Sequence, residues 1–92
     1  MKLVWRSKAL EDRKLIASYI AQDNVNAAIE LDIIFEEKAE IARSNPKLYK
    51  PGRIRGSREL VVNESYVMVY RVNEKAKTVT FARVLHTSRK WP

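Results

Sequence analysis

With 92 residues, 46% of them apolar and 32% charged, the chain is sized for a single globular domain spanning residues 1–92; it has no cysteine, which excludes disulfides and thiolate chemistry. One histidine and scattered acids exclude a structural zinc site and give other metals no ligand cluster, so no metal or cofactor is expected. The formal charge of +7 is segregated: residues 1–46 carry −1 and residues 47–92 carry +8. That basic half also holds Tyr49, Tyr66, Tyr70 and His86, the combination expected of a working face for a polyanion or an acidic partner.

The N-terminal run Met1–Lys8 has only three apolar residues before a charge, unlike a signal peptide. No apolar stretch approaches the roughly 20 residues of a membrane span, and a cytoplasmic protein is expected. Leu3-Val4-Trp5 reads as a short strand. Ser7 is placed to cap a helix whose apolar face is Ala9, Leu10, the stem of Arg13, Ile16, Ala17 and Ile20. Asp23-Asn24 signals a second cap. The following helix carries Ala27, Ala28, Leu31, Ile34, Phe35, Ile41 and Ala42 as one stripe, with the acids Glu30, Asp32, Glu36, Glu37 and Glu40 outside it. Ser44-Asn45-Pro46 ends it, because the residue before proline avoids helical dihedrals. Helices joined this tightly form an antiparallel hairpin.

Beyond the Lys47–Ser57 segment the apolar period changes from 3.6 to 2. Glu59–Val62, Tyr66–Val72 and Thr78–His86 are rich in β-branched and aromatic residues, with turn residues at Asn63-Glu64-Ser65 and Asn73–Ala76 between them. The expected class is α+β: an N-terminal strand, an antiparallel helical hairpin, and a three-stranded antiparallel meander. Leu3-Val4-Trp5 adds to the sheet as an outer strand, and the hairpin covers one sheet face.

Several segments, in this order, closely resemble the RelE/ParE superfamily of type II toxin–antitoxin toxins. They are Lys2–Asp12, Tyr19–Asn24 followed by Ala27-Ala28, Arg58–Val61, Tyr66–Val72 and Arg83–His86. The resemblance implies the fold just described and a toxin neutralised by a cognate antitoxin, whose flexible acidic or amphipathic segment wraps it in a hetero-oligomer. RelE-like members cut messenger RNA on the ribosome; ParE-like members bind DNA gyrase and block replication.

Metal-free RNA cleavage needs a proton acceptor, a neutralised phosphate and a proton donor. Arg58, Arg71 and Arg83 fall on three successive predicted strands, where they are candidates to gather around one phosphate. The histidine side chain is by its ordinary chemistry suited to proton transfer near working pH, which makes His86 the candidate acid or base. His86, Arg83 and Arg58 are thus the catalytic set if the protein is a ribonuclease, with Lys50, Arg53 and Arg55 as a basic loop. Ribonuclease members of the family carry a tyrosine near the C-terminus, whereas no tyrosine follows Tyr70 here. The ending Val84–Pro92 looks more like the ParE branch. The resemblance therefore favours a stoichiometric gyrase inhibitor, with ribosome-dependent endoribonuclease as the alternative. The target-binding set is Arg58, Arg71, Arg83, His86, Arg89, Lys90 and Trp91. Structural readings stand beside these: solvated arginines on an open sheet face, a hydrogen-bonded strand-end histidine, and a tryptophan covering a sheet edge.

Overall fold

Two helices and four strands follow the expected order: β1 (Lys2–Trp5), α1 (Ser7–Ala21), α2 (Val25–Ser44), β2 (Arg58–Val61), β3 (Tyr66–Asn73) and β4 (Thr78–His86). The computed structural model describes residues 1–88. The sheet order is β1-β4-β3-β2. β3 pairs antiparallel with both β2 and β4, while β1 runs parallel to β4 from Lys2↔Thr78 to Trp5↔Phe81. The N-terminal strand is thus an outer strand, and the sheet is mixed.

The turns form where the asparagines are. Asn63 Oδ1 accepts from the backbone N–H of Ser65 and Tyr66, and Asn73 Oδ1 from that of Ala76. Asn24 caps α2 by accepting from the Ala27 N–H at 3.0 Å. The expected Ser7 cap does not form: the N-cap of α1 is Arg6, without a side-chain cap hydrogen bond. The Arg6 N–H still donates to the Phe81 carbonyl, one residue beyond β1, so the chain passes from ladder to helix without room for a capping residue.

The register puts Trp5, Phe81, Tyr70 and Arg58 on one rung across all four strands. Their rings form a row: Trp5 stacks on Phe81 at 4.9 Å, and Phe81 meets Tyr70 at 5.2 Å. Tyr70 lies edge-on to Tyr49 and donates its hydroxyl to the Pro46 carbonyl at 2.8 Å. The neighbouring rung holds Leu60, Met68 and Val84, all buried under Phe35, Ala39 and Ala42 of α2. Tyr66, Met68 and Tyr70 therefore face the helices, while Val67 and Val69 are buried on the other face of the sheet.

The helix stripes differ from expectation in part. Leu10, Ile34 and Ile41 are exposed, at 48%, 37% and 42%. In α2 the buried positions are Ala28, Phe35, Ala39 and Ala42, a narrower stripe than the sequence pattern, because small alanines let the helix lie close to the sheet. A second apolar row, Val25, Ile29 and Ile33, points outward on the hairpin.

Phe35→Ala is expected to cost about 3–5 kcal/mol, against less than about 0.5 kcal/mol for Ile29→Ser. Urea unfolding followed by circular dichroism measures both. Burial raises the Tyr70 phenol above its usual value, against the pull of the Arg58 charge. A folded-state value raised above the unfolded one means stability is fully present below about pH 10 and is lost as pH rises beyond it. Tyr70→Phe should flatten that alkaline loss while costing about 1 kcal/mol at neutral pH for the missing hydrogen bond.

Candidate functional site

β1 is four residues long and β4 nine, so among the described residues the edge of β4 beyond Phe81 lacks a strand partner. A β-bulge at Ala82 shifts the register there, since Val69 opposes Arg83 and Tyr70 opposes Phe81. α1 covers this edge. Asp12 Oδ2 accepts the Val84 N–H at 2.9 Å, and the same carboxylate takes both prongs of the Arg83 guanidinium, at 2.8 and 3.1 Å. The pair is largely desolvated, with side-chain exposures of 10% for Asp12 and 23% for Arg83. The hydrogen bond to Asp12 holds Arg83 above the ordinary guanidinium value, so it is charged at any working pH. Sequence reasoning named Arg83 but not Asp12, whose partners lie 71 and 72 residues away.

The three candidate arginines are not brought to one point. Arg58 opposes Tyr70 on the helix-facing side, and its Nη1 donates to the Tyr49 carbonyl at 2.6 Å. Arg71 opposes Thr80 on the other, open side. It is exposed, with one Nη1 hydrogen bond to the Arg55 carbonyl at 3.0 Å. Arg83 shares that open side with Val69 and Glu59 but bends to Asp12 at the edge. His86 opposes Tyr66 at the far end of β4, on the helix side, with the rings edge-to-face at 5.4 Å. Its Nδ1 accepts the Ser88 N–H at 3.2 Å and lies 2.8 Å from the Ser88 hydroxyl. A backbone N–H can only donate, so Nδ1 is the acceptor in this contact. The target-binding candidates Arg89, Lys90 and Trp91 lie outside the described residues.

The Lys47–Ser57 segment is a folded-back arm along β2. Pro51 bridges Arg58, the Glu59 N–H donates to the Lys50 carbonyl, and the Gly52 N–H to that of Ser57. Glu59, on the open face, accepts the Arg53 backbone N–H at 2.6 Å and pairs with its guanidinium. Both glycines of the chain lie in this loop. A Cβ on Gly52 would come within 2.8 Å of Glu59 Cγ; Gly56, at φ +80°, lies where a Cβ would meet Arg71 Nη1 at 2.7 Å. The loop thus presents Arg53 and Arg55 in a fixed arrangement against β3. Among the described residues no three acids or histidines converge on a metal-sized site.

Removing either partner of the Asp12–Arg83 pair strands the other, so Asp12→Ala is expected to cost about 2–4 kcal/mol. A double-mutant cycle with Arg83→Ala should return a coupling of about 1–3 kcal/mol in chemical denaturation. Additive single effects would show that the pair contributes nothing beyond the Val84 hydrogen bond.

The molecule's relatives agree with this architecture. A model of the family described as the ParE toxin of type II toxin–antitoxin systems, parDE, matches residues 3–91. A curated protein of Sinorhizobium fredii named "Putative toxin Y4kP" is 28% identical over 92 residues, covering 99% of this chain and 93% of that protein. Among solved structures, the chromosomal ParDE system from P. aeruginosa superposes with a TM-score of 0.79 at 21% identity, over 94% of this chain and 95% of that one. The YoeB/ParE toxin from Agrobacterium tumefaciens gives 0.71 at 16% identity, over 94% and 98%. The YoeB–YefM complex from Staphylococcus aureus gives 0.63 at 17%, over 92% and 94%. At these identities the structural likeness speaks for the fold, and the family model, matched along nearly the whole sequence, makes the chain a member of the ParE toxin family of type II toxin–antitoxin systems.

Proposed function

We propose that the protein arrests bacterial growth by binding DNA gyrase stoichiometrically and blocking replication. A cognate antitoxin neutralises it in a cytoplasmic hetero-oligomer, and the pair serves to stabilise the plasmid or chromosome that carries it. The observation that supports a binding role over cleavage is the separation of the arginines. A phosphate cage needs Arg58, Arg71 and Arg83 to converge, whereas Arg58 lies on the helix side and Arg83 is engaged by Asp12. Protein binding makes no such demand: a basic surface with exposed arginine suffices for steering and for anchoring contacts.

The target-binding set is Arg58, Arg71, Arg83, His86, Arg89, Lys90 and Trp91, and Arg71 is the most exposed of its three strand arginines. Arg83 acts there by holding β4 against α1. The antitoxin segment is drawn to the same half by charge complementarity, which raises its association rate.

Purified toxin is expected to slow gyrase supercoiling, or to trap cleaved DNA, while leaving RNA intact. Arg71→Glu should weaken that inhibition about tenfold, by removing a cation and adding an opposing charge. Unimpeded supercoiling at excess toxin, together with new 5′ ends on translated messages after induction, would replace this reading with the ribosome-dependent endoribonuclease.

A further inference from the structure

We propose that the open face of the sheet carries an anion pocket, at the end remote from His86, that holds a backbone phosphate of nucleic acid. β2 pairs with β3 only as far as Arg58↔Tyr70, so among the described residues Arg71–Asn73 form an edge without a strand partner on that side. An open cleft of about 420 Å³ lies there, lined by Arg6, Gly56, Arg71, Lys75, Thr78 and Thr80 among others. Its far rung, at Thr78, is eight residues along β4 from His86, about 25 Å at strand rise, so the pocket is a different place from His86.

The register builds the pocket from two adjacent rungs on one face: Arg71 opposite Thr80, and Asn73 opposite Thr78. Hydroxyl and amide donors thus stand beside a guanidinium. Arg6 comes in from the β1–α1 junction, and its side chain, like that of Lys75, has no ion-pair or hydrogen-bond partner among the described residues. Arg71 spends one Nη1 hydrogen bond on the Arg55 carbonyl, which orients its fork and leaves the remaining donors free. Gly56 makes that possible, since any larger residue would press on Nη1. The acid at the rim, Glu74, is already engaged by Lys47 at 2.9 Å.

A forked guanidinium, a second arginine and two hydroxyls suit a multiply accepting tetrahedral oxyanion better than a planar carboxylate. A polymer is favoured over free phosphate because the cations continue. A second cleft of about 340 Å³, in which Arg58 is the cation that no acid among the described residues pairs with, shares Gly56, Val72 and Glu74 with the first. Repeating anions along a strand match such a path. Among the described residues no aromatic side chain lines either cleft, so the contact they offer is to backbone and does not select sequence.

Fluorescence anisotropy of a labelled 20-base-pair DNA duplex of arbitrary sequence, titrated with the full-length protein over a salt series, tests this. Arg71→Ala should weaken binding about five- to tenfold and reduce the salt slope by about one. Thr80→Val, which changes no charge, should weaken binding about two- to threefold and leave the slope alone. Lys14→Ala, on the exposed side of α1, should change neither. The proposal is overturned if Arg71→Ala behaves like Lys14→Ala, or if polyglutamate displaces the duplex as well as polyphosphate does. The pocket does not rest on the gyrase reading: normal supercoiling beside Arg71-dependent DNA binding would remove the gyrase target and leave the pocket standing.

Discussion

The fold turns on one carboxylate. A sheet whose outer strand stops after four residues leaves backbone N–H groups of its longest strand facing the helical layer, and a buried donor without an acceptor costs as much as a lost hydrogen bond. Asp12 supplies that acceptor to Val84 and gathers the Arg83 guanidinium in the same grip. The next residue does the complementary job in the opposite direction. Arg13, itself buried, pairs with Asp32 and Glu36 of α2 and lies over the Trp5 ring at 4.5 Å. Burial opposes its charge, but the two carboxylates outweigh burial and leave it more firmly protonated than usual. Two successive residues of opposite charge thus fasten α1 to the sheet and to its partner helix. The angle of the hairpin, and hence which face of the sheet stays open, follows from that pair.

Much of this architecture was legible in the sequence because it is written locally. Asparagines at the turns, Asn24 at the start of α2 and proline after its end act within a few residues, and they place the elements almost where they occur. Period-two alternation located β3, though it could not choose between its faces. Tyr66, Met68 and Tyr70 turn inward because they meet α2, while Val67 and Val69 are buried on the opposite side. What escaped is non-local. The apolar stripe of α2 reads as broad, but alanines at positions 28, 39 and 42 set the contact and leave Ile34 and Ile41 partly outside. Nothing local marks Asp12, and Glu36 reads only as an acid outside the α2 stripe, because their partners Arg83 and Arg13 are joined to them only by the fold.

The candidate site shows the same division. Charge segregation pointed to the half of the chain that forms β2, β3 and β4, and that location stood. The grouping of arginines on successive strands did not, for a reason internal to pleated sheets. Side chains alternate between faces, so strand membership alone says nothing about convergence. Arg58 and Arg71, on neighbouring strands, project to opposite faces. A bulge at Ala82 resets β4 and delivers Arg83 toward the edge, where Asp12 waits.

Pairing, rather than total charge, then decides where this surface is available to a partner. Where an acid lies close, a cation is structural: Asp12 takes Arg83, Glu59 takes Arg53, and Glu74 takes Lys47. Those three pairs lie respectively at the β4 edge, in the glycine loop, and at the β3–β4 turn. The loop in turn receives Arg71 on a carbonyl oxygen, which orients a guanidinium without neutralising it. Acids in the basic half are thereby used to shape a scaffold, and the charge left over is displayed on the unpartnered edge of β3. A partner that competes for that edge must be anionic and must fit between a glycine wall and two threonine hydroxyls, a narrower requirement than a net charge of +7 implies.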